Sequence, residues 1–297
     1  MPTNKTPIYT AFVANTIIAI VKLVAAAATG SSAMASEGIH SLVDTSNEIL
    51  LLLGIHKSLK PADEKRPFGY GKELYFWAFV VSLVFFALGG GFSIYEGIQH
   101  LMHPEEIKNP VWNYAILGIA FVLDGYSLIT ALKEFNRQRG SMTFWKAVRQ
   151  SKDPATFVVL FEDAADVIGI LIAFTGILLS QLLHNPYLDG VASIMIGLLL
   201  TLVAVLLVRE SHSLLMGETA HPDELKKIIT LVEKNPAVQS MSAQLSMYMS
   251  PEEVLLLLKI KFDANRSGGE IADTINTLRE AIQANYPHYK HLFIEPV

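Results

Sequence analysis

The chain has 297 residues, 51% of them hydrophobic, with a mean hydropathy of +0.37; soluble chains of this size rarely stand so high, which argues against an ordinary water-soluble globule. Its net charge of -5 argues against a general nucleic-acid role. The absence of cysteine excludes disulfides and thiolate metal sites, so any metal must be held by His, carboxylate, carbonyl or water.

The hydrophobic residues are concentrated in the first two-thirds of the chain. A run of about 20 apolar residues spans a bilayer, and six segments qualify as spanning helices: roughly 8–29, 33–56, 75–99, 111–134, 155–183 and 187–208. No cleavable leader is expected, because Ile8–Ala28 is long enough to span and Thr29-Gly30-Ser31-Ser32 reads as a turn into the next helix. Lys22, in the first segment, is expected to snorkel or to bond a neighbouring helix.

The second segment carries Glu37, His40, Asp44 and Glu48 within an otherwise apolar stretch. On a helix, His40, Asp44 and Glu48 recur at i, i+4 and i+8 and share a face. A charge at the centre of a bilayer costs at least about 2.5–3.5 kcal/mol on insertion scales. That face is therefore expected to look into a bundle or a wet cavity. His beside Asp one turn apart is half of a metal site.

Gly89-Gly90-Gly91 in the third segment invites a kink or a close helix approach, within the bundle or across a dimer. The fourth segment holds Asp124, a carboxylate read either as part of an ion pathway or as a hydrogen-bond partner of Tyr126, Ser127 or a neighbouring helix. In the fifth, Glu162, Asp163 and Asp166 crowd into little more than one turn, with Glu162 and Asp166 on one face. Three acids this close stay ionised only with a cation or a donor among them. Asp189, at the start of the sixth segment, is read as a first-turn acid favoured by the helix dipole, with a role in the ion pathway as the alternative.

Loop charges predict the orientation. Loop 57–72 carries Lys57, Lys60, Lys65, Arg66 and Lys72, and loop 135–154 carries Arg137, Arg139, Lys146, Arg149 and Lys152. Loops 30–32 and 184–186 have no Lys or Arg, and 100–110 has only Lys108. The positive-inside rule then puts both termini in the cytoplasm. Beyond residue 208 the pattern changes to a helix from about Pro222 to Asn235, strands near 238–249 and 254–262, a helix from about Ser267 to Ala284 and a strand at 291–296. An α-β-β-α-β order suggests a small open-faced α+β domain, ferredoxin-like in type, whose half-covered sheet favours dimerisation. The expected organisation is a six-helix membrane domain over 1–208 and a cytoplasmic C-terminal domain over 209–297.

GSSAMASEGIHSLVDTSNEILLLLG, FGYGKE, the acid pair at i, i+4 in the fifth segment, DG at the sixth and ESHSLLMGE together resemble the cation diffusion facilitators over the whole chain. The resemblance implies a homodimeric, multi-pass membrane transporter, here of a bacterial cytoplasmic membrane, and not an enzyme. Such a protein exchanges a divalent metal for protons by alternating access and has no resident cofactor, the metal being the cargo. It implies a transport site of His40 and Asp44 from the second helix with Glu162 and Asp166 from the fifth. Asp163, Glu48 and Asp124 stand as further candidates along the path. Zinc-type members usually have His where this chain has Glu162. The resulting one-nitrogen, three-carboxylate set keeps Zn²⁺ narrowly first and brings in Mn²⁺, Fe²⁺ and Co²⁺. The competing readings are a membrane-embedded metal-dependent hydrolase, a metal-selective channel and a purely structural, chaperone-like membrane subunit.

The resemblance also sets expectations away from the transport site. A loop metal site found in some members would need His where this chain has Arg66 and Tyr70 beside Asp63, so none is expected. Cytoplasmic zinc positions of other members match Ser242, Lys259, Phe293 and Glu295, of which only Glu295 could ligate. His288 and His291 are read as surface residues. Lys72 matches a lysine that pairs across the dimer in some members, but the acid's position holds Met216, with Glu218 near it.

Overall fold

The computed structural model describes residues 6–297. The chain is mostly helical, with one small sheet near its C-terminus. It forms two compact units. Of the described residues, one holds 6–54 with Trp77–Arg149 and Pro154–Ser211, and the other holds Ile55–Phe76, Gln150–Asp153 and His212–Val297.

The long helices follow the six apolar segments. They are α1 (Thr6–Thr29), α2 (Ser32–Ser58), a rod of α3 (Glu73–Val84) and α4 (Gly91–Met102), α5 (Val111–Arg139), and, after the short α6 (Phe144–Gln150), α7 (Pro154–Leu182) and α8 (Tyr187–Met216). Among the described residues, Glu73–Met102, Val111–Arg137 and Tyr187–Met216 are long and apolar enough to cross a membrane. Helices α2 and α7 have the length but carry the acids described above. The helix α6 falls within a stretch read from sequence only as a basic loop. It forms because Ala147 and Val148 bury against Phe135 and Leu160.

The join between α1 and α2 is tight. Gly30 adopts φ +74°, a conformation that suits glycine. The Ser31 hydroxyl accepts from the Met34 amide at 3.1 Å and donates to Asp189 at 2.8 Å. Asp189 also accepts the amides of Ser32 at 2.5 Å and Ala33 at 3.3 Å. Asp189 is fully buried, so this acid caps the first turn of α2, besides standing in the first turn of its own helix.

The glycine run in the third segment does two things. A π-helical turn over Phe85–Gly90 separates α3 from α4. The glycines of this rod also lie against glycines of α8, so the close partner is within the chain. A methyl group at Gly97 would stand 2.7 Å from the Gly190 carbonyl, and one at Gly197 would stand 2.7 Å from the Ile94 amide. Small residues let the two backbones touch.

In the C-terminal unit the order is α9 (Pro222–Glu233), β1 (Val238–Ser250), β2 (Glu253–Phe262), α10 (Gly268–Asn285) and β3 (His291–Pro296). The sheet order is β1-β2-β3, with β1 antiparallel and β3 parallel to β2. Val254, Leu256, Leu258, Ile260 and Phe262 alternate along β2 onto the face that buries Leu225, Ile228, Leu278 and Ile282 of the two helices. The opposite face carries the cross-strand row Leu245, Leu257 and Phe293, of which Leu245 and Phe293 are exposed. A capping box starts α10: Ser267 accepts from the Glu270 amide, and the Glu270 carboxylate accepts from the Ser267 amide at 2.8 Å.

Two outcomes are expected. Because a new methyl at Gly97 would meet backbone atoms of Gly190 and Ile194 as well as the Ile194 side chain, Gly97→Ala should lower stability by about 1–3 kcal/mol, read as thermal unfolding in detergent. The hydrogen bond from the Ser267 amide to Glu270 holds that carboxyl below its ordinary 4.5. The stabilisation from the capping box is therefore present above pH 4.5 and drains as pH falls through the lowered value. Glu270→Ala, which removes the titrating carboxylate, should lower the melting temperature of the C-terminal unit at neutral pH and flatten its loss on the acid side.

Candidate metal centre

Helix α2 supplies His40 and Asp44 one turn apart, and α7 supplies Asp166 from across the bundle. The His40 Nδ1 lies 3.2 Å from Asp44 Oδ2, and its Nε2 lies 3.1 Å from Asp166 Oδ1. Ligand atoms of the three side chains all fall within 4.8 Å of one another. His40 is fully buried, and Phe85, in the π-helical turn, packs edge-on against its ring at 5.3 Å between centroids.

This arrangement is short of protons. A neutral imidazole has one N–H and two carboxylates have none, yet each ring nitrogen faces a carboxylate oxygen. None of these facing atoms is engaged in a hydrogen bond of good geometry. Buried lone pairs pointed at one another are stable only with a proton or a metal ion between them. A nitrogen and two oxygens within 4.8 Å of one another are a donor set of the type that a divalent transition metal accepts.

Of the four ligands expected from sequence, the structure brings three together. Glu162 lines the same space but is held aside: its Oε1 accepts from Asn47 Nδ2 at 2.8 Å. Asn47 lies two turns beyond His40 on the same face of α2, and this donor was not identified from sequence. The space is a cavity of about 140 Å³ with Asp44, Glu48, Asp124, Glu162, Asp163 and Asp166 among its walls. Two of the further candidates have donors from neighbouring helices. Glu48 accepts from Asn15 at 2.9 Å, and Asp163 accepts from Ser127 at 2.9 Å. Asp124 contributes to the wall without entering the His40 group.

Another buried pair adjoins the site. Lys22, on α1, reaches Glu37 at 3.2 Å, one turn from His40 on α2. The expectation that Lys22 bonds a neighbouring helix is met by this contact. Neither Glu37 nor Phe85 was singled out as functional from sequence; for Glu37 the available signal was its i−3 spacing from His40.

Elsewhere, candidate ligands have protein partners. Asp63 accepts from the Tyr70 hydroxyl at 2.7 Å and from the amides of Lys65 and Arg66, and the tyrosine bond foremost lowers its pKa. Glu295 pairs with Lys259 at 3.2 Å, and His288 lies 3.0 Å from Glu224. The Lys72 ammonium approaches the Leu215 carbonyl and the Met247 sulfur, while Glu218 pairs with Lys152.

Comparison with known proteins adds an independent line of evidence. A family model described as the cation efflux transmembrane domain matches residues 8–216. The human mitochondrial proton-coupled zinc antiporter SLC30A9 is 33% identical over 271 residues, covering 90% of this chain and 48% of that protein. Its Xenopus laevis counterpart is 36% identical over 245 residues, covering 82% and 44%. Metal tolerance protein C4 of Arabidopsis thaliana is 28% identical over 236 residues, covering 78% and 51%. The chain thus spans about half the length of the curated relatives it matches.

The geometry ranks the ligands. In equilibrium dialysis of purified protein with Zn²⁺, His40→Ala, Asp44→Ala and Asp166→Ala should each weaken binding by more than about 100-fold. Glu162→Gln, outside the group of three, should cost only about tenfold.

Proposed function

The chain belongs to the cation efflux family, the cation diffusion facilitators, and from that premise we propose that it exports a divalent transition-metal ion from the cytoplasm in exchange for protons. The family is one of transporters, not enzymes. The observation that carries the reading is the gathering of Asp44 and Asp166 around the buried His40, with ligand atoms of all three within 4.8 Å of one another.

In this reading all six long helices cross the membrane. The distribution of side chains on the two acid-bearing helices supports it. On α2, His40 is buried while Ile49 and Leu52 are exposed; on α7, Glu162 is buried while Ile168 and Leu171 are exposed. Ionisable groups within a membrane face the bundle, and apolar ones face lipid. Both termini lie in the cytoplasm, on the strength of the loop charges, and the membrane is a bacterial cytoplasmic one. The protein works as a homodimer, for which the exposed row of Leu245 and Phe293 offers apolar surface in the C-terminal unit.

The cycle follows from the proton shortage at His40. From the cytoplasm, the ion enters the acid-lined cavity and exchanges water for His40, Asp44 and Asp166. Glu162 joins as the fourth ligand once it leaves Asn47. Rearrangement exposes the site to the far side, protons take the same lone pairs, and the ion leaves. Metal and protons compete directly, so coupling needs no separate proton site. Zn²⁺ comes first among the substrates, because the human relative is named a zinc antiporter and because zinc accepts imidazole and carboxylate together. Mn²⁺, Fe²⁺ and Co²⁺ suit the oxygen-rich set as well.

Zn²⁺ uptake into proteoliposomes should rise when a pH gradient drives protons outward, and it should vanish in Asp44→Ala protein that still elutes as a single species in detergent. Uptake by the wild type that ignores the gradient would overturn the antiport.

A further inference from the structure

Lys22 and Glu37 form an ion pair in which both side chains have no exposed surface. The Lys22 ammonium donates to Glu37 Oε2 at 3.2 Å and to the Ser41 hydroxyl at 2.8 Å. Ser41 follows His40 in the chain and lines the acid cavity. Asp166 and Asp124 both act electrostatically on the ammonium. The second oxygen of Glu37 is buried without a hydrogen-bond partner. It rests against α7 at Gly169, where the Cβ of any other residue would collide with it. The pair is therefore stationed between α1, α2 and α7, with Ser41 as a bridge from the ammonium toward the three metal-binding side chains.

We propose that Lys22 is a tethered counter-ion of the metal centre, which leans toward the carboxylates of the site when the dication leaves and back onto Glu37 when it returns. This rests on the metal-transport reading above. A lysine head on four flexible carbons can move within a fixed backbone, and a hydroxyl already shares its protons on the cavity side. The site holds two carboxylates in its tight group and further acids in its wall. Until protons fill the vacated lone pairs, losing a dication there leaves buried negative charge. A permanently charged ammonium that shifts toward it lowers the barrier to release, and the same ammonium weakens binding of the ion. Lys22 is thus a positioning residue that trades affinity for turnover, with no proton transferred to or from it.

The test is Zn²⁺ uptake by full-length protein in proteoliposomes, with Zn²⁺ affinity measured in detergent, for wild type, Lys22→Met, Lys22→Arg and the double variant Lys22→Met with Glu37→Gln. Removing the counter-ion should lower KM and kcat together, by about tenfold each, because the ion is held longer. Lys22→Arg should retain most of the turnover. The double variant replaces a buried ion pair with neutral groups, a change such pairs tolerate structurally. It should melt near the wild-type temperature, supplying the kinetic measurement if Lys22→Met alone misfolds, and still turn over slowly. Wild-type KM and kcat in Lys22→Met, or full turnover in the double variant, would make the pair purely structural and overturn the inference. Wild-type protein that neither binds nor transports Zn²⁺ would overturn the transport reading itself.

Discussion

An imidazole with a carboxylate at each nitrogen is the constraint around which the helical unit is built. His40 can supply one proton as a neutral ring and two as a cation. Asp44 and Asp166 stand ready at 3.2 and 3.1 Å to take them. Most of the other acids nearby have a dedicated donor from another helix: Glu37 from Lys22, Glu48 from Asn15, Glu162 from Asn47, Asp163 from Ser127. Both ring nitrogens of His40, both carboxylate oxygens of Asp44 and Oδ1 of Asp166 have no such hydrogen bonds. The bundle thus gives most of its surrounding acids a donor and leaves these central acceptors without one.

The rest of the helical unit keeps that centre in position. The α3–α4 rod and α8 meet through glycines at van der Waals range, so their separation is set by backbone rather than by side chains. The π-helical turn in the same rod carries Phe85 to the edge of the His40 ring. Asp189, at the beginning of α8, grips the first amides of α2. The helix that bears His40 and Asp44 is therefore fixed at its end by one acid and steadied at its middle by an aromatic ring. Both contacts come from the α3–α4 and α8 pair. A shift of that pair would carry α2 with it, which links the position of the centre to a motion of the surrounding helices.

Much of this was legible in the sequence, for definite reasons. Long apolar runs mark helices because only length and hydropathy are needed to see them. His40 with Asp44, and Glu162 with Asp166, declare a shared face because i, i+4 spacing is a local property. The alternation in β2 is equally local. Contacts across helices were not legible. Lys22 on α1 gave no hint that its partner would be Glu37, fifteen residues on. Asp189 looked like an ordinary first-turn acid because dipole preference is read from its own helix, whereas its bonds cap another one. Glu162 and Asp166 share a face, yet Asn47 draws one of them out of the tight group. Spacing says which side chains lie on a face; it does not say which donor a neighbouring helix will present.

That last displacement bears on how a site can bind an ion and still let it go. Three protein ligands make a centre open to water, and four would close it. With Asn47 holding Glu162 at 2.8 Å, the centre has one nitrogen and two carboxylates within reach. Exchange of Glu162 between Asn47 and the ion, on the proposed reading, converts an open site into a closed one without moving a helix. It also tunes hardness, since the fourth ligand adds a third carboxylate to a single nitrogen. A His at that position would give a closed site with two nitrogens and less charge. The acid gives a more negative site whose surplus charge needs compensation between departure of the ion and arrival of protons, and a cation buried inside the bundle is the Lys22 ammonium, already hydrogen-bonded to the residue next to His40.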